Sequence, residues 1–126
     1  MRPLLLTAGA TRNPVDAIRY LSAHASGRTG IDLAGRLSGA YAVHVLGSGE
    51  ACLRAPAGLS TEEFTSTRDL MARMERWIRA NPTGIVIHSA AVGDYEAEAP
   101  CAECSCLCLR SPCSPAASLP WLPRAR

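Results

Sequence analysis

"PLLLTAG", residues 3–9, is an almost unbroken apolar run ended by glycine, and how it is read decides the fold. A strand with one wet face alternates apolar and polar residues. A run that is apolar at nearly every position needs cover on both faces, as in a parallel sheet walled by helices. Two further runs behave alike: "YAVHVL" at 41–46, closed by Gly47-Ser48-Gly49, and "IVIH" at 85–88, each expected as a buried strand. The segment 27–37 is expected as a helix, with Ile31, Leu33, Ala34 and Leu37 apolar and Gly39 a stop. "TEEFT" at 61–65 reads as a short edge strand. Ser66 or Thr67 then caps a helix with Asp69 in its first turn. Leu70, Met74, Trp77 and Ile78 give that helix one apolar face, and Asn81-Pro82-Thr83-Gly84 ends it. Residues 11–26 carry turn chemistry at Asn13-Pro14, then Val15, Ile18 and Leu21 at near-helical spacing. They read as a long, functional loop with one helical turn. Strand, helix, strand, helix, strand is the order of an α/β protein with a doubly wound parallel sheet and right-handed crossovers.

Composition narrows the function classes. With 126 residues, 48% hydrophobic and 19% charged, the chain reads as one small globular domain. No apolar run approaches the roughly 18 residues that span a bilayer. The opening segment is too short for a secretory leader, so a cytoplasmic protein without a membrane partner is expected. The net charge of +2 comes wholly from positions 101–126. No basic patch in the body argues for nucleic acid. All thirteen basic residues are Arg and none is Lys, a mark of GC-rich coding more than of a partner.

Ligands of such sheets bind beyond the carboxyl ends of the strands. Three segments meet that description: 9–13, 22–30 and 88–94. "SGRTG" sets Ser26, Gly27 and Gly30 at a helix start, where free N–H groups and the helix dipole favour a phosphate. The same glycines equally serve a turn and close helix packing, and a full G-x-G-x-x-G is lacking. Asp94 in "AAVGDY" suits Mg²⁺ or a ribose hydroxyl, or else caps its own loop. His88, in an apolar strand, reads as a satisfied core residue. His24 reads as a solvated loop histidine, and His44 carries no signal.

Read together, "LLLTAGATRNPVDAIRYLSAHASGRTG" (4–30), "FTSTRDLMARMERW" (64–77) and "IVIHSAAVGDY" (85–95) resemble the phosphopantothenoylcysteine synthetase (phosphopantothenate–cysteine ligase) family in words, order and spacing. The last segment is most similar to the stand-alone synthetases. The resemblance covers residues 1–98 and implies a Rossmann-like fold, a homodimer, and a place in coenzyme A biosynthesis. The implied reaction joins cysteine to 4′-phosphopantothenate after CTP or ATP, with Mg²⁺, activates the carboxylate as an acyl-nucleotidylate. It also implies the site: Gly9, Ser26, Gly27, Arg28 and Gly30 toward the phosphates; His88, Ser89 and Ala90 along the nucleotide; Asp94 at nucleotide and metal. Where the family reads S-N-H-S-S-G or S-N-H-S-T-G, this chain reads S-A-H-A-S-G. Ala23 therefore replaces an Asn tied to turning the acyl-nucleotidylate into product, and a methyl group donates no hydrogen bond to an oxyanion. The family's mobile-loop Lys has no counterpart either.

The tail, 99–126, holds five of the six Cys and, past Pro100, four of the nine Pro. Its C-x2-C-x-C-x-C spacing offers thiolates to a metal but lacks the paired knuckles of a zinc site. A disulfide framework conflicts with a cytoplasmic body. It reads as a non-native end, with the reading frame shifting near Pro100. The expectation is a ligase-like domain impaired by truncation and by Ala23. The alternative is a non-catalytic nucleotide-binding module, a pseudoenzyme. An NAD(P)-dependent oxidoreductase fragment is disfavoured, because neither G-x-G-x-x-G nor a ribose-binding acid after Leu46 is present.

Overall fold

A computed structural model describes residues 1–97; the Cys-rich tail expected to be non-native lies outside the described residues. Four parallel strands form one sheet: β1 (Arg2–Ala8), β4 (Tyr41–Gly47), β5 (Ser60–Glu63) and β6 (Ile85–His88), in the order β5-β4-β1-β6. A two-stranded antiparallel ribbon, β2 (Arg12–Pro14) and β3 (Tyr20–Ser22), projects from the end of β1. Helix α1 (Arg28–Leu37) links β1 to β4, α2 (Gly49–Arg54) links β4 to β5, and α3 (Thr67–Ala80) carries the chain back to β6.

Both faces of β1 are buried, as its composition requires. Leu4, Leu6 and Ala8 meet Ile31 and Ala34 of α1, Ala51 of α2, and Val43 and Val45 of β4. Leu5 points the other way, into Leu46, Phe64 and Leu70 of α3. Fully burying a leucine contributes on the order of 1.5–3 kcal/mol, so this strand anchors both layers. The expected α/β class with helices on both faces is therefore what the chain adopts.

Four expectations need correction. Residues 11–26 hold no helical turn. They form the β2–β3 ribbon, whose bend is fixed by Asp16: its carboxylate accepts from the Ile18 and Arg19 amides at 3.0 and 2.8 Å and pairs with the Arg19 side chain. The Arg19 side chain, followed by the Ile18 amide, lowers the Asp16 pKa to about 2. Ile18, one of the three apolar residues at near-helical spacing, is 87% exposed. The Gly47-Ser48-Gly49 stretch closes β4 as expected but also opens α2, a helix not expected there, with the Ser48 hydroxyl capping the Ala51 amide. On α3 the apolar face is Leu70, Met74 and Trp77; Ile78 stands at its flank, 45% exposed. Finally, among the described residues β6 is an edge strand paired with β1 alone, and its residues are half-buried or exposed.

Gly30 faces β1 so closely that a methyl group there would sit 2.7 Å from the Ala8 Cβ, whereas one on Gly35, in the same helix, would meet nothing. Gly30→Ala is therefore expected to destabilise by about 1–3 kcal/mol through overpacking. Gly35→Ala is expected to stabilise by about 0.5–1 kcal/mol. Urea denaturation of the two variants checks the opposite signs.

Candidate functional site at the β1–β6 crevice

The chain leaves β1 toward β4 but arrives at β6 on the other flank, so strand order reverses between β1 and β6. That is the switch point where sheets of this kind receive ligands. The loops beyond the two strands run side by side: the Ala91 amide bonds the Gly9 carbonyl at 2.8 Å, and the Thr11 amide bonds the Ala91 carbonyl at 3.0 Å.

A ladder of buried polar side chains on the first loop holds the second. Thr7, fully buried, accepts from the Ser89 and Ala90 amides through Oγ1, both at 3.1 Å. Both lone pairs are then used, so its proton goes to His88. The acceptor is Nδ1, at 2.8 Å. Thr11 Oγ1 accepts from the Gly93 amide at 2.9 Å and lies 3.2 Å from the Thr67 hydroxyl. Asn13, 2% exposed, accepts from the Thr67 amide at the start of α3 and donates to the Tyr95 carbonyl at 2.9 Å.

The glycines set the opposite wall. Gly9 has φ of +94°, and a Cβ there would lie 2.0 Å from Ser48 Oγ. Gly27, with φ of +75°, is the N-cap of α1, and a Cβ there would fall 2.9 Å from the Gly9 nitrogen. The first turn of α1 is thus pressed onto the end of β1. Gly27 offers no side chain to that turn; the Ser26 hydroxyl accepts only a long 3.4 Å bond from the Arg28 amide.

The expected site residues divide accordingly. Gly9, Ser26 and Gly27 lie around the end of β1, and His88, Ser89 and Ala90 lie at the end of β6. The amides of Ser89 and Ala90 are engaged by Thr7, so what they present outward is carbonyl oxygen and the Ser89 hydroxyl. Gly30 is buried on the sheet-facing side of α1 against Leu6 and Ala8, the packing role that the pattern left open. Arg28 lines a depression of about 260 Å³ between α1 and α2 with Ile31, Asp32 and Arg54. His88 is satisfied but exposed, a correction to its reading as a core residue: among the described residues β6 has no neighbour on its outer side. Asp94 is exposed and makes no hydrogen bond among the described residues, so it does not cap its loop. Ala23 is exposed between β3 and α1, and His24 stands exposed beside it. At the start of α3, burial opposes ionisation of Asp69, yet the Thr65 amide and Arg73 outweigh it and hold its pKa low.

Sequence reasoning missed Thr7, Thr11, Asn13 and Thr67. The signal available was a threonine on either side of Gly9 at the end of an otherwise apolar strand.

Fold and crevice together define a doubly wound α/β domain of the Rossmann-like class. The chain belongs to the family described as the DNA/pantothenate metabolism flavoprotein C-terminal domain, which matches residues 1–103. It is 36% identical over 98 residues to the coenzyme A biosynthesis bifunctional protein CoaBC of Escherichia coli K12, covering 75% of this chain and 23% of that protein. The corresponding protein of Mycobacterium bovis is 30% identical over 95 residues, covering 75% and 22%. Among solved structures, the DNA/pantothenate metabolism flavoprotein from Streptococcus pneumoniae superposes with a TM-score of 0.66 at 31% identity, over 77% of this chain and 42% of that one. The C-terminal domain of CoaBC gives 0.68 at 25%, over 78% and 49%. A Cab2 mutant in complex with phosphopantothenate-cysteine shares the fold at 14% identity, with a TM-score of 0.64 over 75% and 46%. The chain thus spans about a quarter of the curated relatives and under half of the solved ones.

Thr7→Val keeps the shape of the side chain but strands the Ala90 amide and a histidine nitrogen, while the Ser89 amide keeps the Thr7 carbonyl at 3.2 Å. A buried donor left unpaired costs about 1–3 kcal/mol, and Thr7→Ser should recover most of it. Thermal unfolding of both variants, with amide exchange of residues 88–91, checks this.

Proposed function

We propose that the chain is the nucleotide-binding part of a phosphopantothenate–cysteine ligase of coenzyme A biosynthesis, taking CTP or ATP with Mg²⁺ in the β1–β6 crevice. The observation that carries this reading is Asp94, exposed, without a hydrogen bond among the described residues, and borne on the loop that follows β6 at the switch point. Family membership and the resemblance of residues 4–30 and 85–95 support it.

Each wall has its own task. The first turn of α1 presents backbone N–H groups, and its dipole favours a phosphate. The Ser89 hydroxyl and carbonyls of the same loop suit the polar edge of a base or ribose. Asp94 fits Mg²⁺ as one oxygen ligand. No trio of His, Cys, Asp or Glu gathers among the described residues, and this ion is commonly held by one or two carboxylates plus substrate phosphates. When bound, the ion neutralises phosphate charge as pyrophosphate leaves. Phosphopantothenate and cysteine are the substrates that the resemblance implies.

Titration with Mg·CTP and Mg·ATP is expected to show weak binding that chelation abolishes, and NADH is expected not to bind. Asp94→Ala should weaken the magnesium-dependent binding at least several-fold. Unchanged affinity would take Asp94 out of the site.

A second reading, a binding module without ligase activity, is favoured by Ala23 and by the absence of any Lys. Nothing at position 23 donates to a developing oxyanion, so acyl transfer to cysteine lacks its stabilising group. The purified chain with CTP, phosphopantothenate and cysteine is expected to form no phosphopantothenoylcysteine by mass spectrometry, and Ala23→Asn alone should not restore it. Product from the unaltered chain would overturn the second reading.

A further inference from the structure

We infer that Asn13 is a positioning residue whose carboxamide aims the Asp94 carboxylate into the crevice. This rests on the proposed reading of Asp94 as a ligand-contacting group. Asn13 is buried in β2, distant in sequence from the loop that it holds. Its Oδ1 accepts from the Thr67 amide at 2.8 Å. That amide belongs to the first turn of α3, whose N–H groups have no partner within the helix. Its Nδ2 donates to the Tyr95 carbonyl at 2.9 Å and approaches the Gly93 carbonyl at 3.5 Å. Those carbonyls stand on either side of Asp94. The backbone is tied on both flanks while the carboxylate between them stays free.

The chemistry of the contact requires an amide. One end must accept and the other must donate, so aspartate would set an acceptor against two carbonyls, and an apolar residue would leave the Thr67 amide and the Tyr95 carbonyl unpaired. Position 93 is matched to it: a Cβ on Gly93 would lie 2.9 Å from Asn13 Nδ2. Up to Gly93 the loop is held by the Thr7 and Thr11 hydroxyls and, through the Gly93 carbonyl, by the Thr67 hydroxyl. Past it, the described ties are Asn13 and the exposed Arg68–Glu96 ion pair. Asn13 therefore governs the stretch that bears Asp94.

A double-mutant cycle on the whole chain, read as Mg·CTP affinity, separates aiming from general support. Asn13→Ala and Asp94→Ala should each weaken binding several-fold, and the double variant should bind no worse than Asp94→Ala, since the aim of an absent carboxylate has no effect. Gly93→Ala, which displaces the carboxamide without emptying its site, should reproduce the loss if Asn13→Ala fails to fold. Amide exchange should quicken at 93–95 with β1 and β4 unchanged. Additive losses, or full affinity in both Asn13→Ala and Gly93→Ala while Asp94→Ala is impaired, would overturn this inference alone. An Asp94→Ala chain of normal affinity would overturn the nucleotide reading, and this inference with it.

Discussion

β1 has no free side. It pairs in parallel with β4 along one edge and β6 along the other, and its two faces fill the two halves of the core. A strand enclosed in this way leaves the chain one exit, at its carboxyl end. The turn there falls at Gly9, with a positive φ that a side chain would resist. The crevice is a consequence of that enclosure. Gly27 and Ser48 close on the turn from one flank, and the loop after β6 closes on it from the other.

The same enclosure explains what was legible in the sequence. A strand covered on both faces has no alternation to blur, so "LLL" and "YAVHVL" show their cover directly. The apolar spacing of α1 and α3 likewise shows which sides meet the sheet. Short elements whose pairing depends on partners far along the chain are hard to read. β2 and β3 have three residues each, and the spacing of Val15, Ile18 and Leu21 imitates a helix. Asp16 and Arg19 decide the bend instead, through a local hydrogen-bonded turn. Helix α2 hid behind a glycine-rich closure, although Ser48 followed by Glu50 is a helix-start signal. "IVIH" reads as buried because hydrophobicity reports what a strand tolerates; its neighbours decide whether it is covered.

For the site, the glycines and the segment around Asp94 were legible because turns and close approaches limit residue choice. The polar ladder was not. Thr7, Thr11, Asn13 and Thr67 are common surface residues, and nothing local reveals that they take part in a buried network. Each does so only because backbone N–H and C=O groups of a loop far along the chain, or of α3, need partners. That demand arises from the fold.

The two walls of the crevice use opposite physics. On the α1 side, side chains are removed so that backbone approaches backbone, which suits an anion held by N–H groups and a dipole. On the β6 side, buried side chains consume the backbone groups of the loop and leave one carboxylate free, which suits a cation or a hydroxyl. On the reading proposed, a triphosphate would meet the first wall and its metal the second, and neither wall needs position 23. Ala23 lies on the link between ribbon and helix. On that reading nucleotide binding and acyl transfer draw on different parts of this fold, and the contacts that build the two walls do not involve Ala23.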